Sequence, residues 1–346
     1  MPPLTPMPTP GRPLPRRAAH AGRARAGLSL PEVLIGFVLL GVLGTALVKL
    51  LMVQSTAFAR TQAATAVQRD MRTGLSLLPQ DLRAASRTRG DLLAVSQTAI
   101  ELRATIGTSI VCATAGNGRT LFLPPLGQVN AGATLTSWFA APRAQADDVF
   151  VLTRATTGGQ GDWWIAGRVS QDPGVATGAA VAACIAPLPF VTSPLPTTVP
   201  PVQFTWTPTD TLNAAGAQID VATMVRPGTA LRITRRVRYQ LYQAGSGRWY
   251  LGFQEYQGAD VWSALEPIAG PYDAGGTAVA PGIAFAYTGT EGQVLASPVD
   301  PSAVARVDLV LRPRTVARTA RSEVIRDSLL VRIALRNRCT VGFERC

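Results

Sequence analysis

Apolar residues run almost without a break from 33 to 53 and then thin to one in every three or four. The dense stretch is about 21 residues long, interrupted by Lys49. At 1.5 Å per residue it spans roughly 31 Å, the hydrocarbon thickness of a bilayer. Beyond it Ala64, Val67, Met71, Leu75, Leu78, Leu82 and Ala85 recur at spacings of three and four, with Arg69, Asp70, Arg72 and Arg83 off that stripe. The pattern predicts one long helix over 29–86, apolar all round in its first half and amphipathic in its second. Unbroken, it would be about 87 Å long. Gly74 and Pro79 are where it should bend or split.

Further along the period drops to two. Leu231, Ile233, Val237, Tyr239 and Leu241 alternate with Arg232, Arg236 and Arg238, while Arg235 interrupts the apolar face. Ala244-Gly245-Ser246-Gly247 then turns the chain into 249–256, a hairpin. Ala305, Val307, Leu309 and Leu311 alternate with Arg306, Asp308 and Arg312, and Ile325, Leu329, Val331, Ile333 and Leu335 with Arg326, Ser328, Arg332 and Arg336. Shorter strands fit 99–104, 109–113, 120–123, 149–153 and 163–169. Asp147-Asp148, the adjacent acids, read as a turn feeding a strand. Residues 186–209 hold seven prolines and read as an extended surface connection. Trp163, Trp164, Trp206, Trp249 and Trp262 are mostly expected in the core. The fold class is α+β: a long N-terminal helix packed on a mostly antiparallel β head. The chain divides into a leader (1–27), a transmembrane half-helix (28–53), an amphipathic half-helix (54–88) and a β-rich head (89–346).

Charge orients this plan. Residues 1–27 carry Arg12, Arg16, Arg17, Arg23 and Arg25 and no acid. Positive flanks stay in the cytoplasm, so the head is expected on the other side. Lys49 lies near the outer end, where its stem can snorkel. Glu32 sits at the mouth of the apolar run, and an acid there is costly without a partner. An ordinary secretory signal is the competing reading, with Ala57-Phe58-Ala59 as a small-x-small cleavage pattern. Against it, the apolar region is longer than the usual 7–15 residues and begins with an acid.

The run Gly27-Leu28-Ser29-Leu30-Pro31-Glu32, after a basic leader and before about twenty apolar residues, resembles the N-terminal signature of type IV prepilins and type II secretion pseudopilins. The resemblance implies cleavage by a prepilin peptidase between Gly27 and Leu28 and N-methylation of Leu28. It also implies a role for Glu32 in filament assembly, its carboxylate meeting the free amine of a neighbouring subunit. Where many family members carry a helix-bending proline, this chain has Lys49. Leu77-Leu78-Pro79-Gln80-Asp81-Leu82-Arg83 and Gly282-Ile283-Ala284-Phe285-Ala286-Tyr287 are similar to segments of the larger minor subunits, the W type of type IV pili and the J type of type II secretion. A bulky head implies a low-copy subunit that primes or caps a filament. Its implied partners are other minor and major pilins or pseudopilins and the assembly platform of the inner membrane.

Composition narrows the chemistry. Removing 27 residues from 346 leaves 319, and 28 basic residues then face 21 acids, a net +7. Every basic residue except Lys49 is arginine. Arg232, Arg236 and Arg238, with Arg312, Arg314, Arg318 and Arg321, are candidates for binding DNA or a surface at a pilus tip. A solvated strand face accounts for the same residues. The one histidine, His20, lies in the leader. Without it the mature chain has no Ser-His or Cys-His nucleophile and no imidazole ligand, so an enzyme is not expected. Gly158-Gly159-Gln160-Gly161 opens no helix and reads as a loop rather than a phosphate cradle. Cys112, Cys184, Cys339 and Cys346 suit an exported domain with two disulfides. Three connectivities are open. The pairing expected is Cys112–Cys184 and Cys339–Cys346, the latter closing a short C-terminal loop. No Cys-x-x-Cys marks a zinc site, and no cofactor is implied.

Overall fold

The computed structural model describes residues 29–74, 76–86, 90–127, 129–130, 133–153, 163–185, 199–210, 218–274, 280–316 and 324–335. The chain divides into two compact units, Met1–Ala57 and Phe58–Cys346.

Helix α1 spans Leu30–Gly74. Within the head its buried residues are Ala63, Val67, Met71 and Gly74, a stripe at helical spacing. The sequence stripe named Ala64, yet Ala63 is the residue that turns inward. The predicted single helix is split. α1 stops at Gly74, and α2 resumes at Leu78–Ala84 with Pro79 in its first turn, where a missing N–H costs no hydrogen bond. Gly74 admits the strand beneath it: a Cβ there would lie 2.7 Å from the Tyr272 hydroxyl oxygen and 3.3 Å from Leu311 Cδ1.

The main sheet of the head is antiparallel throughout. Along one path the strands lie in the order Leu92–Val95, Ala99–Ile110, Ala230–Gln243, Asp147–Thr153, Trp163–Val175, Val202–Pro208, Thr120–Leu123 and Ala113–Ala115. The central strand, Ala230–Gln243, pairs on one edge with Ala99–Ile110. Its other edge is divided. Leu231–Arg235 pairs with Asp147–Val151, and Val237–Gln243 pairs with Trp249–Glu255. The sheet therefore forks at Arg235.

Each branch has its own core. On one, Leu231 and Ile233 bury with Val149, Val151, Ile165, Phe204 and Trp206. The Trp206 ring lies over Gly167, where a side chain would collide with it, and its Nε1 donates to the Gly118 carbonyl at 3.0 Å. Truncating such a buried ring costs about 3–5 kcal/mol. On the other branch Val237, Tyr239 and Leu251 meet Leu78 and Leu82 of α2. A three-stranded sheet, Ile283–Thr288, Arg306–Leu311 and Leu329–Ala334, closes that core with Phe285, Leu309 and Ile333.

Three local expectations differ from the structure. Asp147 and Asp148 lie inside a strand and are buried, because each meets an arginine across the sheet. Residues 99–104 and 109–113 are not two strands; Ala99–Ile110 is continuous and carries a bulge opposite Ile233/Thr234. The proline-rich 186–209 contains the strand Val202–Pro208, with its one internal proline at the end, where the ladder stops.

Candidate functional site

The N-terminal unit presents one element. The Ser29 carbonyl accepts the backbone N–H of Glu32 at 3.0 Å and of Val33 at 3.2 Å, which starts the helix. Pro31 stands where an N–H would have no intrahelical partner. Glu32 is the acid of the first turn, where the helix dipole favours a negative charge. From Leu30 to Val53 every side chain is exposed, with Phe37, Leu40 and Leu43 each about 70 % accessible. This helix is long and apolar enough to cross a membrane, and its most apolar stretch is nowhere buried among the described residues.

The polar groups on this surface are mostly self-satisfied. The Thr45 hydroxyl donates to the Val42 carbonyl at 2.9 Å, and Ser55 and Thr56 donate to Met52 at 2.9 and 2.8 Å. Among the described residues, a Cβ at Gly36, Gly41 or Gly44 would meet nothing within 4 Å beyond the helix's own backbone and its adjacent residues. Gly27 and Leu28, the cleavage and methylation residues of the sequence reading, lie outside the described residues, as do Cys339 and Cys346.

Inside the head, the second part of α1 borders the strand Glu266–Tyr272. A groove of about 600 Å³ runs between them, lined by Arg69, Asp70, Thr73, Tyr250 and Ile268. Burial raises the Asp70 carboxyl above its usual range, and the Arg69 charge opposes this. Pro267 and Pro271 leave gaps in the N–H row of this strand, a protection against an added strand. α2 is tied down by Asp81, whose Oδ2 accepts the Tyr239 hydroxyl at 2.6 Å. Burial raises the Asp81 carboxyl, with the Tyr239 hydrogen bond pulling the other way. The Tyr239 phenol is pushed strongly up by burial and by the Asp81 charge.

The arginines proposed as a binding face are committed within the head. Glu101 accepts from Arg236 Nε at 3.1 Å and from Arg238 Nη2 at 3.0 Å. Asp91 takes Arg232 at 2.9 Å, and Asp148 takes Arg103 at 2.8 Å. Arg238 also stacks over the Trp262 ring at 4.1 Å, and Arg236 over Tyr256 at 4.6 Å. Arg312 donates to the Pro281 carbonyl at 2.7 Å, and Arg314 lies 3.9 Å from Asp273. Arg318 and Arg321 lie outside the described residues. The alternation of Arg232, Arg236 and Arg238 had placed them on one face. The acids that answer them were missed, although Glu101 and Arg103 occupy the matching outward positions of their own strand.

Cys112 and Cys184 are joined by a disulfide, with Cα atoms 5.0 Å apart. It ties the short helix Ala179–Ile185 to the chain just before the strand Ala113–Ala115, within a small cluster with Phe122 and Ala176.

Compared with known proteins, the chain matches no family model, no curated protein and no solved structure.

Proposed function

We propose that this chain is a minor pilin or pseudopilin, a structural subunit that primes or caps a type IV pilus-like filament. The observation that carries the reading is Glu32. It is a carboxylate in the first turn of a helix that is apolar and exposed from Leu30 to Val53, five residues after a basic segment that ends in Gly27. An acid at that depth needs a cation, because unpaired charge in hydrocarbon is costly. A prepilin peptidase cutting after Gly27 would create one, the amine of Leu28, on each subunit. Helices carrying both groups then recruit one another, and their apolar surfaces pack as they leave the lipid.

On this reading the precursor sits in the inner membrane with its N-terminus in the cytoplasm and its head outside, the orientation that the positive flank favours. Its partners are the peptidase, other minor and major pilins or pseudopilins, and the assembly platform. The head's arginines support a structural role over a DNA-binding one, since Arg232, Arg236 and Arg238 already hold carboxylates. Mass spectrometry of the protein isolated from its native membrane tests the proposal. The expected N-terminus is methylated Leu28, with Gly27→Asp retaining the whole leader. A mature chain beginning after Ala59 would identify an ordinary secretory signal instead.

A further inference from the structure

Between Ser29 and Ala59 the helix carries two charged side chains, Glu32 and Lys49. They are about 25 Å apart along the axis at 1.5 Å per residue, so they cannot pair within one chain. Both are exposed, and among the described residues neither has an ion-pair partner. In a bilayer Lys49 reaches water by laying its stem along the outer leaflet. Inside a bundle of helices that route is closed, and an ammonium surrounded by apolar side chains needs a carboxylate. The face that leads to Lys49 suits close approach of another helix. Gly41 and Thr45 precede it at intervals of four. A Cβ at Gly41 would meet nothing within 4 Å beyond its own helix, and the Thr45 hydroxyl is already used on the Val42 carbonyl.

Resting on the filament-subunit reading, we propose that Lys49 is a second docking point, which receives the first-turn carboxylate of a neighbouring pilin-like helix. Charge complementarity selects that occupant. On a helix built like this one, the first-turn acid is the anionic group of the apolar length, as Glu32 is here. The carboxylate has two oxygens, so it accepts from an amine and from Lys49 together. The distance fixes the stagger: the partner stands about 25 Å further from the cytoplasm. This chain is therefore placed beneath another subunit, which selects the priming role over the capping one.

The test uses the full chain in its native membrane, with a photo-reactive amino acid in place of Val53, one turn beyond Lys49, or of Thr45, one turn before it. The expected adduct at Val53 is a peptide containing the acidic first turn of another single-span helix. A helix adduct at Thr45, together with only lipid or an acid-free peptide at Val53, would overturn the Lys49 contact and leave the filament reading standing. No helix adduct at either position would remove both. Independently, Lys49→Met should lower the amount of neighbouring helix that co-purifies about tenfold, while Lys49→Arg keeps it. Equal recovery with Lys49→Met would show that the lysine only snorkels.

Discussion

Arg235 grips Asp147 at the fork of the sheet: Nε meets Oδ1 and Nη2 meets Oδ2, each at 2.8 Å, with both side chains almost wholly out of solvent. Glu255 takes the remaining Nη1 at 3.1 Å, and the Ala141 carbonyl takes Nη2 at 2.9 Å. Burial alone would weaken the arginine's hold on its proton. The bond to Asp147 and the charges of Asp147 and Glu255 outweigh it and raise its pKa. One residue thus bridges the two branches, with Asp147 on one and Glu255 on the other.

Arg235→Met should cost about 3–5 kcal/mol, because it leaves Asp147 buried without its counter-charge, held only by the Arg143 backbone N–H. Arg235→Met with Asp147→Leu should be much closer to wild type than the sum of the single changes, since no orphan charge remains. Thermal unfolding in mild detergent, followed by near-ultraviolet circular dichroism of the buried Trp206 and Tyr239, gives the comparison. Additive losses would show that the pair is not coupled.

Asp81 and Tyr239 give the head a pH signature. The folded Asp81 carboxyl is raised above 3.8 by burial, so the folded state holds its proton more tightly than the unfolded chain. Its contribution is fully present below pH 3.8 and is lost as pH rises through the folded value. Asp81→Asn, which still accepts the Tyr239 hydroxyl, should remove that slope and leave stability at pH 7 unchanged or higher. Tyr239→Phe should cost about 1–2 kcal/mol and push the Asp81 pKa further up. Melting temperatures from pH 3 to 7 decide this; an unchanged slope in Asp81→Asn would assign it to another group.

The Cys112–Cys184 bridge spans 72 residues of sequence, so reduction frees a long loop. Its loss should cost about 2–5 kcal/mol. A thiol reductant should lower the melting temperature of the native chain more than that of Cys112→Ser/Cys184→Ser, in which only the expected Cys339–Cys346 pair is left to reduce. Equal melting of all three samples would make the bridge dispensable.

The helical stripe and the alternating arginine strand were legible because one face of each is buried, and burial writes a period into the sequence. The split between α1 and α2 was legible in Gly74 and Pro79. Arg235 was visible only as an interruption of an apolar face. Its meaning depends on Asp147, which lies 88 residues away, and no local pattern specifies that register. The same holds for Glu101, which faces Arg238 through strand pairing. The strand Val202–Pro208 was hidden by its proline-rich surroundings, although Phe204 and Trp206 alternate inward. The membrane-length helix was fully legible, since length and apolarity define it without reference to the rest of the chain.

On the proposed filament role, substitutions at Glu32 should separate recruitment from processing. If its carboxylate is read by neighbouring helices and not by the peptidase, Glu32→Ala should be cut after Gly27 at the normal rate. It should stay in the membrane yet fail to co-assemble, with filament incorporation reduced by about tenfold or more. Glu32→Gln tests the charge at nearly constant shape and should behave like Glu32→Ala, because a neutral amide cannot compensate an ammonium. Glu32→Asp keeps the charge on a shorter stem and should restore part of the incorporation. Cleavage is read from the mass of the mature chain, and incorporation from its amount in sheared filaments or in the cross-linked complex. Wild-type incorporation of Glu32→Gln would show that the apolar surface alone recruits the helix and that the first-turn acid has no counter-ion to meet.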